Sequence, residues 1–291
     1  MWRDGDTVQI GVDPHRAVAV TGMSQAADVI RLLDGSRDRA GVLAEAARRG
    51  IAAATTERVM TVLAAAGVLI DYPARLVRSV PAELRRALLP VLAAASLGSQ
   101  DGDGGAGLLA RRSGTSVAVS GTGPVADSVA DLLTRSGLAA CRRESADRGA
   151  ADLLVLIGHQ SPDQTAQLLR LGCPHLSVTA SEGIGVVGPF VLPGSTACLR
   201  CLDLARAERD PAWPLVLAQL SATADPPACD PVLEAAVAAQ AAAIVIAFAD
   251  GGPLAGAAIN GTLELHSPDW RWRRRSWRPH PACCCGASDL V

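Results

Sequence analysis

Two cysteines separated by two residues, Cys198-Leu199-Arg200-Cys201, are followed far along the chain by an unbroken run, Cys283-Cys284-Cys285. A C-x-x-C pair in a tight turn offers two thiolates to one tetrahedral zinc, and a C-x-C pair drawn from the run completes a four-sulfur shell. Pro193-Gly194 and His280-Pro281, just ahead of each group, suit the turns such sites need. Cys198, Cys201, Cys283 and Cys285 are therefore the candidate ligands of a structural zinc, with Cys284 as the spare. The alternative is two reduced, metal-free clusters. Cys141, Cys173 and Cys229 read as core or incidental thiols, as expected of a chain in a reducing cytosol.

A second candidate is Gly121-Thr122-Gly123-Pro124-Val125-Ala126, which fits G-x-G-x-x-[GA] between a strand and a helix. Glycines there permit a tight turn and close backbone approach, and the helix N-terminus attracts a phosphate. Gly121, Gly123 and Ala126 would cradle a nucleotide, and Glu144 lies where a ribose-binding acid belongs. Pro124 removes one N–H from that cradle. A turn that is only structural is the competing reading.

The run Trp270-Arg271-Trp272-Arg273-Arg274-Arg275-Ser276-Trp277-Arg278 could meet an acidic peptide or a stacked nucleic acid. A strand with tryptophans packed on one side and arginines solvated on the other explains it more simply. None of the five histidines, at 15, 159, 175, 266 and 280, has a partner in sequence that would make it a general base.

The 291-residue chain is 49% hydrophobic and 19% charged, which supplies a packed core, yet it holds only one Tyr and two Phe. Its core must be built from small aliphatic side chains. All 27 basic residues are arginine. Without lysine there is no Walker-A loop and no Schiff base. A net charge of −2 argues against electrostatic binding of nucleic acid. The first residues lack the apolar stretch of a signal peptide, and Pro231 to Phe248 reads as a buried helix, so no membrane and a cytoplasmic location are expected.

The elements follow from periodicity. Thr7 to Val12 and Ala17 to Val20 alternate as a hairpin around Asp13-Pro14. Helices follow: one capped by Ser24, one opened by Asp38, and one from about Thr55 to Ala66. This is a small winged-helix-like module over 1–75. DNA readout is not expected, because Arg58 is the only basic residue in the third helix. A helix over 81–96, with Pro90 breaking it, and a linker at Ser99 to Gly107 come next. From Val117 onward short apolar strands alternate with helices: Val117–Val119, Pro124–Ser136, Gly137–Cys141, Asp152–Ile157, Gln164–Leu171 and His175–Val178. Such alternation implies a parallel sheet in a Rossmann-like α/β domain over 76–291. Gly185–Leu192 and Gly261–Leu265 form an antiparallel extension.

With these pieces in place, the stretch from Val117 to Gly286 resembles the ThiF/MoeB/HesA adenylyltransferase superfamily, in which two cysteine pairs hold a structural zinc. GPFVLPG, CLRCLDLARAERDPAWP and WRPHPACCCG are similar to ThiF-like proteins of azole-forming RiPP pathways, which bind a leader peptide and partner a YcaO cyclodehydratase. VQIGVD, LLDGSRDRAGVLAEA and VLAAAGVLID resemble the PqqD-like RiPP recognition element, which takes a peptide as an added strand.

The resemblance implies peptide capture along the hairpin Thr7–Val20 and the third helix (Thr56–Leu63), and a homodimer. The departures from the pattern bear on catalysis. The phosphate lysine is missing, and Gly158-His159 stands where the metal-binding aspartate is expected. Each such electrostatic group is worth roughly 3 kcal/mol, so adenylation is expected to be lost. Two other functions remain: an ATP-dependent adenylyltransferase with Arg142 or Arg143 replacing the lysine, and an NAD-binding protein using Glu144.

Overall fold

The computed structural model describes residues 2–4, 7–13, 15, 17–22, 25–69, 91–92, 105–143, 151–222, 228–252 and 256–287. The chain divides into two compact units, Met1–Leu109 and Ala110–Val291. The expected boundary at 75/76 and the Ser24 cap lie outside the described residues. So does the helix expected over 81–96, apart from residues 91–92, which are helical.

The first unit opens with strands β1 (Trp2–Asp4), β2 (Thr7–Ile10) and β3 (Val18–Thr21), paired antiparallel in that order. Helices α1 (Ala26–Leu32), α2 (Arg39–Arg48) and α3 (Ala53–Ala65) follow. Asp38 caps α2, its carboxylate accepting from the Gly41 N–H at 2.8 Å. Val8 pairs with Val20 across the hairpin, and both are buried. Thr56, Val59, Met60 and Leu63 form the inward stripe of α3 at helical spacing.

Two differences from expectation matter. The strand β1 was not expected, and it occupies one edge of β2. Of the hairpin Thr7–Val20, only the outer edge of β3 is left without a strand among the described residues. On α3 the ends of the Thr56–Leu63 stretch point into the core, so its outward face is Glu57, Arg58 and Thr61.

The second unit is a mixed seven-stranded sheet. Helix α4 (Ala106–Gly114) leads into β4 (Ser116–Ser120), α5 (Pro124–Arg135), β5 (Ala139–Arg143) and β6 (Leu153–Ile157). Then come α6 (Pro162–Arg170), β7 (His175–Ser181), β8 (Ile184–Val191), α7 (Leu199–Ala207) and α8 (Trp213–Ala222). Helix α9 (Pro231–Ala249) precedes β9 (Gly261–His266) and β10 (Arg271–Ser276).

The strand order is β10-β9-β8-β7-β6-β4-β5, parallel from β7 to β5 and antiparallel from β7 to β10. The chain runs from β4 outward to β5, then crosses back to β6 on the other side of β4. That reversal opens a crevice at the carboxyl ends of β4 and β6. The fold is α/β and Rossmann-like, as the alternation implies.

Parallel strands covered on both faces read as continuous apolar runs, and Leu153 to Leu156 are all buried. One face packs Val117, Val155 and Val178 against Val129 and Leu133 of α5 and Val237 and Ala241 of α9. The other packs Ala118, Leu154 and Leu156 against Leu168 of α6. Among the described helices, α9 alone is long and apolar enough to cross a membrane by length and composition. Here it lies in the core, with Leu233, Val237, Ala238, Ala241 and Val245 buried. Its alanines and Gly185 allow the close approach: a Cβ on Gly185 would strike Val237 Cγ2 and reach 3.2 Å from Leu233 Cδ1.

Arg112 on α4 is buried and clasps Asp250 with two hydrogen bonds of 2.7 and 2.8 Å, while its third nitrogen donates to Ser136 O. Removing one side of a buried pair strands the other charge. We expect Asp250→Ala to destabilise the second unit by roughly 3 kcal/mol, read as a shift in the urea midpoint.

His175 is buried, and burial holds its imidazole below the ordinary range while its Nδ1 bonds Cys173 O. The unfolded chain takes up a proton near pH 6.5 that the folded state refuses. Stability should therefore be fully present above about pH 6.5 and fall as pH drops below it. His175→Gln should flatten that slope in melting temperature against pH.

Candidate functional site

At the end of β8 the chain turns through Pro193-Gly194-Ser195-Thr196. Gly194 takes φ +78°, and the N–H groups of Ser195 and Thr196 both donate to Leu192 O. The Thr196 hydroxyl accepts from Leu192 N, and Ala197 N donates to the Asn260 side chain at 2.8 Å. This turn delivers Cys198 to the N-cap of α7 and Cys201 to its first turn, so both thiols emerge on one side.

The second knuckle is tied by His280. Its Nδ1 accepts from Ala282 N, so Nε2 carries the proton and donates to Glu208 Oε1 at 2.9 Å, just past α7. Cys283 N donates to His280 O.

The four sulfurs of Cys198, Cys201, Cys283 and Cys285 all lie within 4.8 Å of one another. Three separations are 3.6 to 3.7 Å: Cys198–Cys201, Cys198–Cys283 and Cys201–Cys285. A tetrahedron with Zn–S bonds of about 2.3 Å has edges of about 3.8 Å, so this cluster can hold a metal such as zinc. Cys198 and Cys201 are buried, Trp277 closes the cluster, and Cys284 is exposed. Four thiolates leave no open coordination position, which makes such a site structural.

The electrostatics agree. A hydrogen bond from the Cys198 thiol holds Cys201 down, to about 4. The same bond, with burial, pushes Cys198 up. Burial pushes Cys283 up to about 12. A cation bound between these sulfurs would favour their thiolate forms.

Around the cluster, Arg275 and Trp277 of the run 270–278 join an array whose other members, Asp203, Arg206 and Trp213, sequence reading missed. The Arg206 guanidinium sits 4.8 Å from the Trp213 ring and 5.5 Å from Trp277, and Arg275 covers Trp277 at 5.6 Å. Asp203 accepts from Trp213 Nε1 at 3.0 Å and pairs with Arg206. The i,i+3 spacing of Asp203 and Arg206 was the only local signal. Burial, then Arg206, hold His159 below the ordinary imidazole range, with Asp203 opposing.

The run 270–278 departs from the expected pattern. All six residues of β10 are exposed, Trp272 included, and the packed tryptophan is Trp277, beyond the strand. Arg274 is the arginine that turns inward, onto the carbonyls of Ala257 and Ile259. The cause is position: β10 is the last strand of the sheet, and nothing described covers it.

The glycine turn sits at the crevice. A Cβ on Gly121, at φ +120°, would come within 2.7 Å of Ile157 O, so packing of β4 against β6 already demands glycine. Gly123 is the N-cap of α5, and Ala126 is fully buried against the sheet. Asp127 places a carboxylate in the first turn and pairs with Arg142 at 3.2 Å. Arg143 ends β5 with its Nε buried and without a hydrogen-bond partner among the described residues. Glu144 lies outside the described residues.

No protein-family model matches the chain, and no curated protein matches it. Solved structures do. A heterocyclase in complex with substrate and cofactor aligns at a TM-score of 0.63 and 15% identity, over 97% of this chain and 38% of its own. The heterocyclase TruD aligns at 0.58 and 16% identity, over 97% of this chain and 42% of its own. E. coli MccB, in a structure with AMPCPP and MccA, aligns at 0.56 and 15% identity, over 99% of this chain and 97% of its own. The chain thus spans about two fifths of the two heterocyclases. At these identities the likeness is one of fold.

We expect the purified chain to carry about one zinc, read by plasma mass spectrometry. Cys201→Ser should release it and lower the melting temperature by at least about 5 °C, whereas Cys284→Ser should change neither.

Proposed function

We propose that this chain is a zinc-stabilised, non-adenylating, ThiF-like protein of the cytoplasm. It captures a precursor leader peptide and presents it to a YcaO-type cyclodehydratase that forms azolines in RiPP biosynthesis. The observation that carries this reading is the set of neighbours. Nearly the whole chain overlays on heterocyclases more than twice its length. That likeness to part of each heterocyclase supports a role beside such chemistry. The resemblance to the superfamily adds a homodimer to the proposal.

Capture is assigned to the first module, 1–75. The outer edge of β3 is open among the described residues, so an extended peptide can add there as a fourth strand. The outward face of α3, at Glu57, Arg58 and Thr61, would meet its side chains. Zinc on Cys198, Cys201, Cys283 and Cys285 would hold the tail against α7 and take no part in bond making.

Three features of the crevice support a lost adenylation. The carboxylate of Asp127 stands at the helix end where a phosphate would sit, and it would repel the triphosphate. Pro124 removes a donor there. Gly158-His159 offers no carboxylate for Mg²⁺, and no lysine exists to replace the missing charge. The MccB structure with AMPCPP, an ATP analogue, makes active adenylation the reading to beat, with Arg142 or the half-buried Arg143 as its candidate cation.

Two measurements test the proposal. Fluorescein-labelled precursor peptides encoded beside the gene should bind with micromolar affinity by anisotropy. N–H groups alternate across a strand, so of Val18→Pro and Ala19→Pro one removes an outward donor and the other a ladder bond. The outward variant should lose at least about tenfold in affinity, near 1.4 kcal/mol, while keeping its fold. Pyrophosphate exchange with Mg·ATP should be undetectable; exchange that disappears in Arg143→Ala would overturn the non-adenylating reading.

A further inference from the structure

Helix α8 is an anomaly. Its sequence, WPLVLAQLSA, is largely apolar, yet Leu217 is its only buried residue. Leu215, Val216 and Leu220 are 67%, 38% and 39% exposed. Beside it, α6, α7, α8 and the Cys283–Cys285 segment enclose a cavity of about 450 Å³. Its floor includes Leu169, Leu204, Trp213 and Leu217, and Arg170 and Arg200 stand at its rim. The one carboxylate in the groove, Asp203, is already bound by Trp213 and Arg206. The two arginines are exposed and pair with no carboxylate among the described residues.

We infer that this groove is a docking site for a polypeptide partner, entered by a bulky apolar side chain whose neighbours are acidic. The volume suits one or two large side chains. A small molecule filling the cavity would leave Leu215, Val216 and Leu220 in water, whereas a polypeptide lying along α8 covers them as well. Two guanidiniums without partners select carboxylates around the anchor. A desolvated apolar centre with an arginine-bearing rim is how recognition surfaces are built. One wall is the cysteine segment, so the groove keeps its shape only while the cluster is closed.

Naming the occupant as a segment of the partner enzyme rests on the function proposed above; the chemistry of the groove does not. The test uses the full, zinc-loaded chain and a peptide array. Each peptide carries Leu, Phe, Met or Trp at its centre, flanked by glutamates, serines or lysines. Glutamate-flanked members should bind, and lysine-flanked members should bind at least about tenfold more weakly. The double variant Arg170→Glu, Arg200→Glu should erase that preference. Ala207→Trp, which fills the cavity, should abolish binding, with zinc content unchanged in both.

If no member binds, if lysine and glutamate peptides bind alike, or if binding survives Ala207→Trp, the inference is wrong. It is also overturned if sedimentation velocity shows a dimer that Leu215→Glu converts to monomer, since the groove's occupant is then a second copy. Precursor-peptide binding is measured on the same variants. Its loss everywhere with the array intact defeats the capture reading alone. Its retention with the array silent defeats the groove alone.

Discussion

The approach of four cysteine sulfurs to within 4.8 Å of one another is the constraint around which one end of the second unit is arranged. It joins the start of α7 to the tail beyond β10, two stretches far apart in the chain. The Thr196 turn, the Asn260 side chain and the His280–Glu208 contact each orient one of the two knuckles. Trp277 is buried because the tail is returned, and the cation–π stack with Arg206 and Arg275 follows from that burial. A chain with two phenylalanines and a core of alanine, valine and leucine has little bulk with which to anchor a tail. A metal held by the four thiols would supply that anchor through coordination in place of buried area.

The sheet shows how strand order alone can shape a crevice with a glycine turn at its edge. The crevice at β4 and β6 exists because the strand order reverses there. Gly121 is required by the carbonyl of Ile157 whether or not a phosphate ever approaches. A glycine pattern therefore reports the fold more securely than the ligand, and function has to be argued from the groups around it. Here those groups are an aspartate in the first turn of α5, a proline at its start and a histidine held neutral by burial. The surface offers more: a β3 edge that no described strand covers in one unit and, in the other, a groove whose two rim arginines pair with no carboxylate among the described residues.

Local periodicity made much of this legible. The alternation at Val8 and Val20, the stripe Thr56-Val59-Met60-Leu63 and the apolar run at Leu153–Leu156 each state an element and its buried face, because burial repeats with the pitch of the backbone. The cysteine pairs were legible for another reason: tetrahedral coordination restricts spacing, so two short motifs point to candidate ligands. Long-range facts were not legible. The strand β1 is too short to carry a period, and its pairing with β2 depends on where the chain folds back. Nothing local marks Arg112, whose partner Asp250 lies far along the chain.

What the sequence by itself determined is the inventory and the local form: strands, helices, caps, the lysine-free chemistry and four candidate ligands. What only the tertiary structure decided is company. It places Glu208 on His280, Asp203 between Trp213 and Arg206, and Arg274 over the carbonyls of Ala257 and Ile259. It also leaves Trp272 of β10 outside, since an edge strand has one neighbour fewer to bury it. Periodicity is a property of one segment, whereas burial and charge partnership belong to pairs of segments. The distance between those segments is set only when the whole sheet has closed.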